Sequence, residues 1–209
     1  MPRRKPKTPP MCSCGKRPAR KGHGWWRECK ECTAAREARR NALEATRHTD
    51  QCNAAKVLAG VPLRYKDARL TDFKGIDSIT VDLSAGFRLF GKPRMGKTHF
   101  LAGLAHTVIE QRHSCRFWNV PELLDTLRTE LTIGRGNQTA FEQACKVEVL
   151  LLDDMTACRM TDYATERLYL IVNHRYNCLQ HTSVTGNDWN KVDPRLAGRI
   201  AETTTEVSL

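Results

Sequence analysis

Residues 87–105 read "FRLFGKPRMGKTHFLAGLA", an apolar run, then a basic turn punctuated by glycine, then a segment of helical composition. From Gly91 to Thr98 the turn satisfies the pattern G-x-x-x-x-G-K-[ST], and its place between a strand and a helix is the context that pattern requires. Gly91 and Gly96 let the chain curl. With Lys92, Pro93, Arg94, Met95, Lys97, Thr98 and His99 they form a loop whose backbone N–H groups can converge on phosphate oxygens at a helix N-terminus. Lys97 is expected to reach the β- and γ-phosphates, and Thr98 to ligate Mg²⁺. Arg94 stands where a third glycine would give the freest backbone; the pattern accepts a side chain there if φ and ψ stay allowed.

A second stretch, "VEVLLLDDM" from Val147 to Met155, has the form of a buried strand ending in two acids. Asp153 is expected to hold Mg²⁺ through its water ligands and Asp154 to polarise an attacking water. Asn187, at the end of "TSVTGN", is placed to orient that water or sense a γ-phosphate. In "DPRLAGRIAE", Arg195 and Arg199 lie one helical turn apart. Either can serve as an arginine finger reaching a neighbouring subunit's nucleotide, since a guanidinium spreads charge onto a transferring phosphoryl group. A surface helix with two arginines is the alternative.

Around these motifs, strand-like runs at 87–90, 115–120, 147–152, 182–186 and 204–209 alternate with helical segments near 97–112, 121–131, 138–145 and 161–178. Such alternation predicts an α/β fold with a parallel sheet covered on both faces and chemistry at the carboxyl ends of the strands.

The N-terminal third differs in kind. Residues 1–66 carry 17 of the 34 Lys and Arg but 5 of the 23 Asp and Glu, a net +12, so the remainder of the chain is −1 and the whole of the net charge of +11 comes from the head. A basic head on a neutral body fits contact with nucleic acid or an acidic partner, through release of counterions, or else a solvated tail. Residues 1–10, rich in Pro, Lys and Arg, lack the apolar surface to order themselves. In "CSCGKRPARKGHGWWRECKEC", the pairs Cys12/Cys14 and Cys29/Cys32 are spaced to converge on one Zn²⁺, with His23 as a substitute ligand. Trp25 and Trp26 either stack on bases or cover the metal. From Thr33 to about Ala59 the Ala-, Arg- and Glu-rich sequence predicts a helix, whose Arg36, Arg39, Arg40 and Arg47 either touch DNA or are solvated. The expected organisation is a disordered arm at 1–10, a zinc module at 11–35, a helical linker at 36–66 and a nucleotide-binding core at 67–209. No apolar run is long enough to cross a membrane, and the basic N-terminus lacks the apolar core of a secretion signal, so a cytoplasmic location is expected.

From "VLAGVPLRYKDARLTDF" through "GKPRMGKTHFLAGLAHTVIEQRHSCRFWNVPELLDTLR", "VEVLLLDDM", "ATERLYLIVNHRYN", "TSVTGN" and "RLAGRIAE", the chain resembles the DnaC/IstB-like AAA+ ATPases over about residues 55–209. That resemblance implies an AAA+ core that binds ATP with Mg²⁺, self-associates in an ATP-dependent way and contacts single-stranded DNA. It assigns Lys97 and Thr98 to the nucleotide, Asp153 and Asp154 to metal and water, Asn187 to the first sensor, and Arg199, with Arg195 second, to the finger. It implies a loader that delivers a replicative helicase, or alternatively an IstB-like transposition regulator; a non-hydrolysing switch that uses ATP only to assemble is a third alternative. Two departures stand out, Arg94 in the loop and Gly186 where relatives often carry serine.

Protein purified without chelators is expected to carry one zinc per chain by elemental analysis, and a strong chelator should unfold the N-terminal module. Protein without stoichiometric metal would refute the thiolate reading.

Overall fold

The computed structural model describes residues 12, 14–15, 30–73, 83–132 and 139–209. The arm at 1–10, His23, Trp25, Trp26 and Cys29 lie outside the described residues. Contacts divide the chain into two compact units, Met1–Gln51 and Cys52–Leu209.

The first unit holds a turn at Cys12–Gly15, closed by the Gly15 N–H donating to the Cys12 carbonyl (2.8 Å), and most of helix α1 (Lys30–Leu58). Helix-favouring Ala, Arg and Glu suit α1 to a solvated surface, and its arginines 39, 40 and 47 are exposed.

In the second unit, α1 ends at Leu58 and the chain turns away at Gly60, whose φ of +80° suits a residue without Cβ. The carbonyls left over at that end are taken by strand β2 (Cys115–Asn119): Phe117 N–H donates to Ala59 O (2.7 Å) and the Arg116 guanidinium to Leu58 O (2.6 Å). Further on come β1 (Gly86–Phe90), α2 (Lys97–Glu110), α3 (Val120–Thr132), α4 (Thr139–Lys146), β3 (Val149–Asp153), α5 (Asp162–Asn177), β4 (His181–Gly186), α6 (Pro194–Thr203) and β5 (Thr204–Glu206). Single 3-10 turns occupy Leu63–Tyr65, Leu70–Asp72 and Trp189–Lys191.

The five strands form one parallel sheet in the order β2-β3-β4-β1-β5. All five residues of β3 are buried because both faces of the sheet are covered. Val149 and Leu151 pack with Phe100, Leu101, Leu104 and Val108 of α2, whereas Leu150 and Leu152 pack with Leu123, Leu127, Leu168 and Ile171 from α3 and α5. The expected sheet, covered on both faces, is the one observed.

Two strand boundaries differ from the expected ones. β3 begins at Val149, two residues late, because the carbonyls of Val147 and Glu148 accept from the guanidinium of Arg175 at 2.7 and 3.1 Å. β5 stops at Glu206, although Val207 N–H still donates to Arg88 O (3.0 Å).

Arg175 is fully buried on α5, and among the described residues no carboxylate pairs with it. Six oxygens accept from it instead: Ala144 O, Cys145 O and Val147 O at the end of α4, Glu148 O, His181 O and Thr182 Oγ1, at 2.6–3.3 Å. Carbonyls at the end of α4 carry the negative pole of that helix, which offsets part of the cation's desolvation. Burial still pushes the Arg175 pKa down to about 10, so the group stays charged at neutral pH. One side chain thereby ties α4, α5, β3 and β4. Arg175→Met leaves those carbonyls buried without a donor and is expected to cost about 3–5 kcal/mol in urea unfolding; a loss below about 1 kcal/mol would contradict this role.

Candidate nucleotide site

At the carboxyl edge of the sheet, a cleft of about 580 Å³ is lined by Arg64, Tyr65, Pro93, Arg94, Gly96, Lys97, Thr98, His99, Asp153, Asp154, Thr185 and Asn187. The floor comes from three strands. β1 delivers the loop, β3 delivers Asp153 and Asp154, and β4, which lies between them, delivers Thr185 and Asn187.

The loop is held from behind. Gly91 N–H donates to Gly186 O (3.3 Å), which ties the loop's first residue to the end of β4. Gly186 itself lies opposite Phe90 in the sheet, and a Cβ there would come within 2.4 Å of the Phe90 ring, so serine would displace that ring. The departure at 186 therefore has a local cause. Gly96 turns the chain into α2 with φ +89°, while Arg94 adopts φ +70°, an uncommon but allowed region for a side-chain-bearing residue.

Lys97 donates to Gly91 O (2.8 Å), Lys92 O (2.8 Å) and Asn187 Oδ1 (3.2 Å), which uses all three ammonium protons and sets the charge in the mouth of the loop. Thr98 Oγ1 lies 3.1–3.2 Å from both oxygens of Asp153. Asp153 also accepts from Thr185 Oγ1 (2.5 Å), and the same hydroxyl accepts from Asp154 N–H (3.0 Å). Burial pushes the Asp153 pKa above the usual carboxylate range and the neighbouring Asp154 adds to the rise, while the Thr185 and Thr98 hydroxyls and Lys97 oppose it. An oxygen pair of this kind suits a hard divalent cation. The Asn187 amide N–H points at Asp154 Oδ1 at the long distance of 3.5 Å, and Asp154 turns away from the strand with φ +62°. Lys97, Asn187 and Asp154 thus form one continuous polar chain.

Two sets of residues fall elsewhere. Arg195 and Arg199 on α6 are absent from the cleft lining. Cys12, Cys14 and Cys32 belong to the first unit, where their sulfur atoms all lie within 4.8 Å of one another.

Three cleft residues escaped the sequence reading. Arg64 and Tyr65 sit on a 3-10 turn inside a stretch read as a linker, and their signal was only an arginine and an aromatic following a proline. Thr185 was legible in principle, because a wholly buried strand that reads T-S-V-T must find partners for its hydroxyls. His99 also has a role beyond the loop pattern: it contacts Asp72 at 2.6 Å, holding that carboxyl below its ordinary pKa, and it meets Tyr65 edge-on at 6.1 Å.

A five-stranded parallel sheet with the loop strand separated from the acid-bearing strand by β4, together with this cleft, defines an AAA+ type P-loop nucleotide-binding protein. The sequence matches the IstB-like ATP-binding protein family over residues 30–197, and the chain belongs to that family. It is 32% identical over 87 residues, covering 42% of this chain and 37% of the relative, to an insertion sequence IS1162 putative ATP-binding protein of Pseudomonas fluorescens. To the replicative helicase loader DnaI of Bacillus subtilis it is 33% identical over 94 residues, covering 43% of this chain and 29% of the relative. The fold is similar to a crystal structure of the DnaC helicase loader, with a TM-score of 0.61 at 20% identity, covering 69% of this chain and 98% of that one. The chain spans less than half the length of the curated relatives it matches. No helix among the described residues is long and apolar enough to cross a membrane.

Because Arg94 already holds a left-handed φ, Arg94→Gly is expected to change stability by less than about 1 kcal/mol and to leave nucleotide binding intact, whereas β-branched Arg94→Val should cost about 1–2 kcal/mol. Thermal unfolding and a nucleotide titration check both; equal tolerance of glycine and valine would contradict the assigned backbone geometry.

Proposed function

We propose that the protein is an ATP-dependent helicase loader: it binds ATP with Mg²⁺, hydrolyses it, self-associates while the nucleotide is bound, and engages single-stranded DNA to deliver a replicative helicase. The observation that carries the nucleotide chemistry is the single hydrogen-bonded unit of Thr98, Asp153 and Thr185 at the foot of a loop whose lysine faces the cleft. Thr98 and Asp153 are the residues that would hold Mg²⁺, which when bound supplies charge neutralisation across the phosphates. Lys97 would exchange its loop carbonyls for phosphate oxygens. Asp154, held by the Thr185 hydroxyl and in line with Asn187, would orient the attacking water. Arg199, or Arg195 in its stead, would complete the site of an adjacent copy, which is consistent with the absence of both from the lining of their own cleft.

The loader reading is supported by the relationship to DnaI and by the cysteine-bearing head. Four thiolates around a zinc at about 2.3 Å lie about 3.8 Å apart. The sulfurs of Cys12, Cys14 and Cys32, within 4.8 Å of one another, fit that arrangement; Cys29, which lies outside the described residues, would be the fourth ligand by its spacing in the sequence. The relative from IS1162 favours a second reading, an ATP-dependent regulator of transposition that assembles on duplex DNA. A non-hydrolysing switch is the weaker third reading, since both acids and the asparagine converge on the cleft.

Lys97→Ala is expected to weaken ATP binding, while Asp154→Asn should bind ATP normally and lower kcat by about 100-fold or more. Equal loss of binding in both variants would overturn the division of roles. Incubation with the host's replicative helicase, ATP and circular single-stranded DNA should transfer helicase onto the circle; ATP-dependent assembly on duplex DNA with no helicase captured would favour the transposition reading.

A further inference from the structure

The face of α5 and α6 that carries Arg199 has an unusual construction. Arg199 is half-buried, yet among the described residues no carboxylate lies within ion-pair distance of it. Two tyrosines of α5 hold it instead. Its guanidinium lies 5.4 Å from the centre of the Tyr169 ring and 4.9 Å from that of Tyr176, and one of its N–H groups donates to the Tyr169 hydroxyl at 3.0 Å. The acid one turn away on α6, Glu202, is engaged elsewhere: it accepts the Tyr176 hydroxyl at 2.5 Å. Arg195 shares the Tyr169 ring at 5.5 Å but is tethered to Asp193 at 3.3 Å.

These contacts differ from an ordinary surface ion pair in what they do to the charge. An aromatic face attracts a guanidinium through its quadrupole and restricts its rotamers without neutralising it. A carboxylate at the same place would cancel much of the field that a phosphate must feel. Tyr176 acts twice, by stacking on Arg199 and by engaging the Glu202 carboxylate, which lies beyond ion-pair distance of the guanidinium. Of the two arginines, only Arg199 is held by two rings and a hydroxyl with no carboxylate at ion-pair distance, Glu202 acting on its charge only from farther away, which separates it from Arg195.

We propose that Tyr169 and Tyr176 are positioning residues that hold Arg199 fixed and out of direct ion pairing for the triphosphate bound by a second copy of this chain, with Tyr176 occupying the Glu202 carboxylate as part of that role. The inference rests on the finger reading of Arg199 given above. Tyr169→Ala removes both a ring and a hydrogen bond, so kcat for ATP should fall roughly 10- to 100-fold while the affinity for a fluorescent ATP analogue is unchanged. Tyr176→Phe keeps the ring and releases Glu202, whose carboxylate then turns to Arg199; kcat should again fall, and Glu202→Gln in the same chain should restore it. A purely structural tyrosine would give no such restoration.

The test is steady-state hydrolysis by the full chain at assembling protein concentrations, with single-stranded DNA present. The variants are Arg199→Ala, Tyr169→Ala, Tyr176→Phe and Tyr176→Phe/Glu202→Gln, each also titrated with the analogue. Loss of kcat in the first three with recovery in the fourth supports the assignment. If Arg199→Ala is inactive while both tyrosine variants keep wild-type kcat, the positioning role is wrong and the finger stands. Failure of Glu202→Gln to restore Tyr176→Phe likewise overturns the sequestration. Wild-type hydrolysis by Arg199→Ala removes the finger reading and this inference with it.

Discussion

A buried carboxylate at the end of β3 holds the candidate site together. Asp153 is 6% exposed, and it is held there by two hydroxyls arriving from different directions, Thr98 from the start of α2 and Thr185 from β4. A buried acid without partners would be strongly destabilising. These hydroxyls offset part of that cost, and in doing so they fix the loop, β3 and β4 relative to one another. Removing any one of the three leaves a buried polar group unsatisfied and lets the loop drift from the acid that would share its metal ion.

The order of the sheet explains why β4 contributes so much. Because β4 is inserted between the loop strand and the acid-bearing strand, its last residues lie on the line from Lys97 to Asp154. Thr185 uses one hydroxyl to hold Asp153 and receive the Asp154 N–H, and two residues later Asn187 joins Lys97 to Asp154. The end of the same strand receives the first loop residue, through Gly91 N–H and Gly186 O, with Phe90 filling the space beside the glycine. A nucleotide that displaces Lys97 from its carbonyls therefore acts on Asn187 directly, and through it on Asp154.

Elements with a strong period or a fixed motif were legible in the sequence. The all-apolar run of β3, the loop between β1 and α2, and the acids at 153 and 154 combine local propensity with the position that the fold assigns them. What was not legible depends on contacts distant in sequence. Arg64 and Tyr65 reach the cleft only because the 3-10 turns at 63–65 and 70–72 are laid against α2, where Gly103 leaves no room for a side chain beneath Arg69 and Leu70. The late start of β3 follows from Arg175, whose six oxygen acceptors lie 6 to 31 residues away in the sequence. The tyrosine setting of Arg199 is legible only once α5 and α6 are side by side, since Tyr169 lies 30 residues from the arginine it holds.

The most direct test of the account is calorimetric titration of ATP into the wild-type chain and into Thr98→Val, each with and without Mg²⁺. If Asp153 and the Thr98 hydroxyl form the metal-holding foot of the loop, wild-type affinity should tighten on adding Mg²⁺, and Thr98→Val should lose that gain while keeping its metal-free affinity. Identical wild-type affinity in the presence and absence of Mg²⁺, or an undiminished Mg²⁺ effect in Thr98→Val, would contradict it.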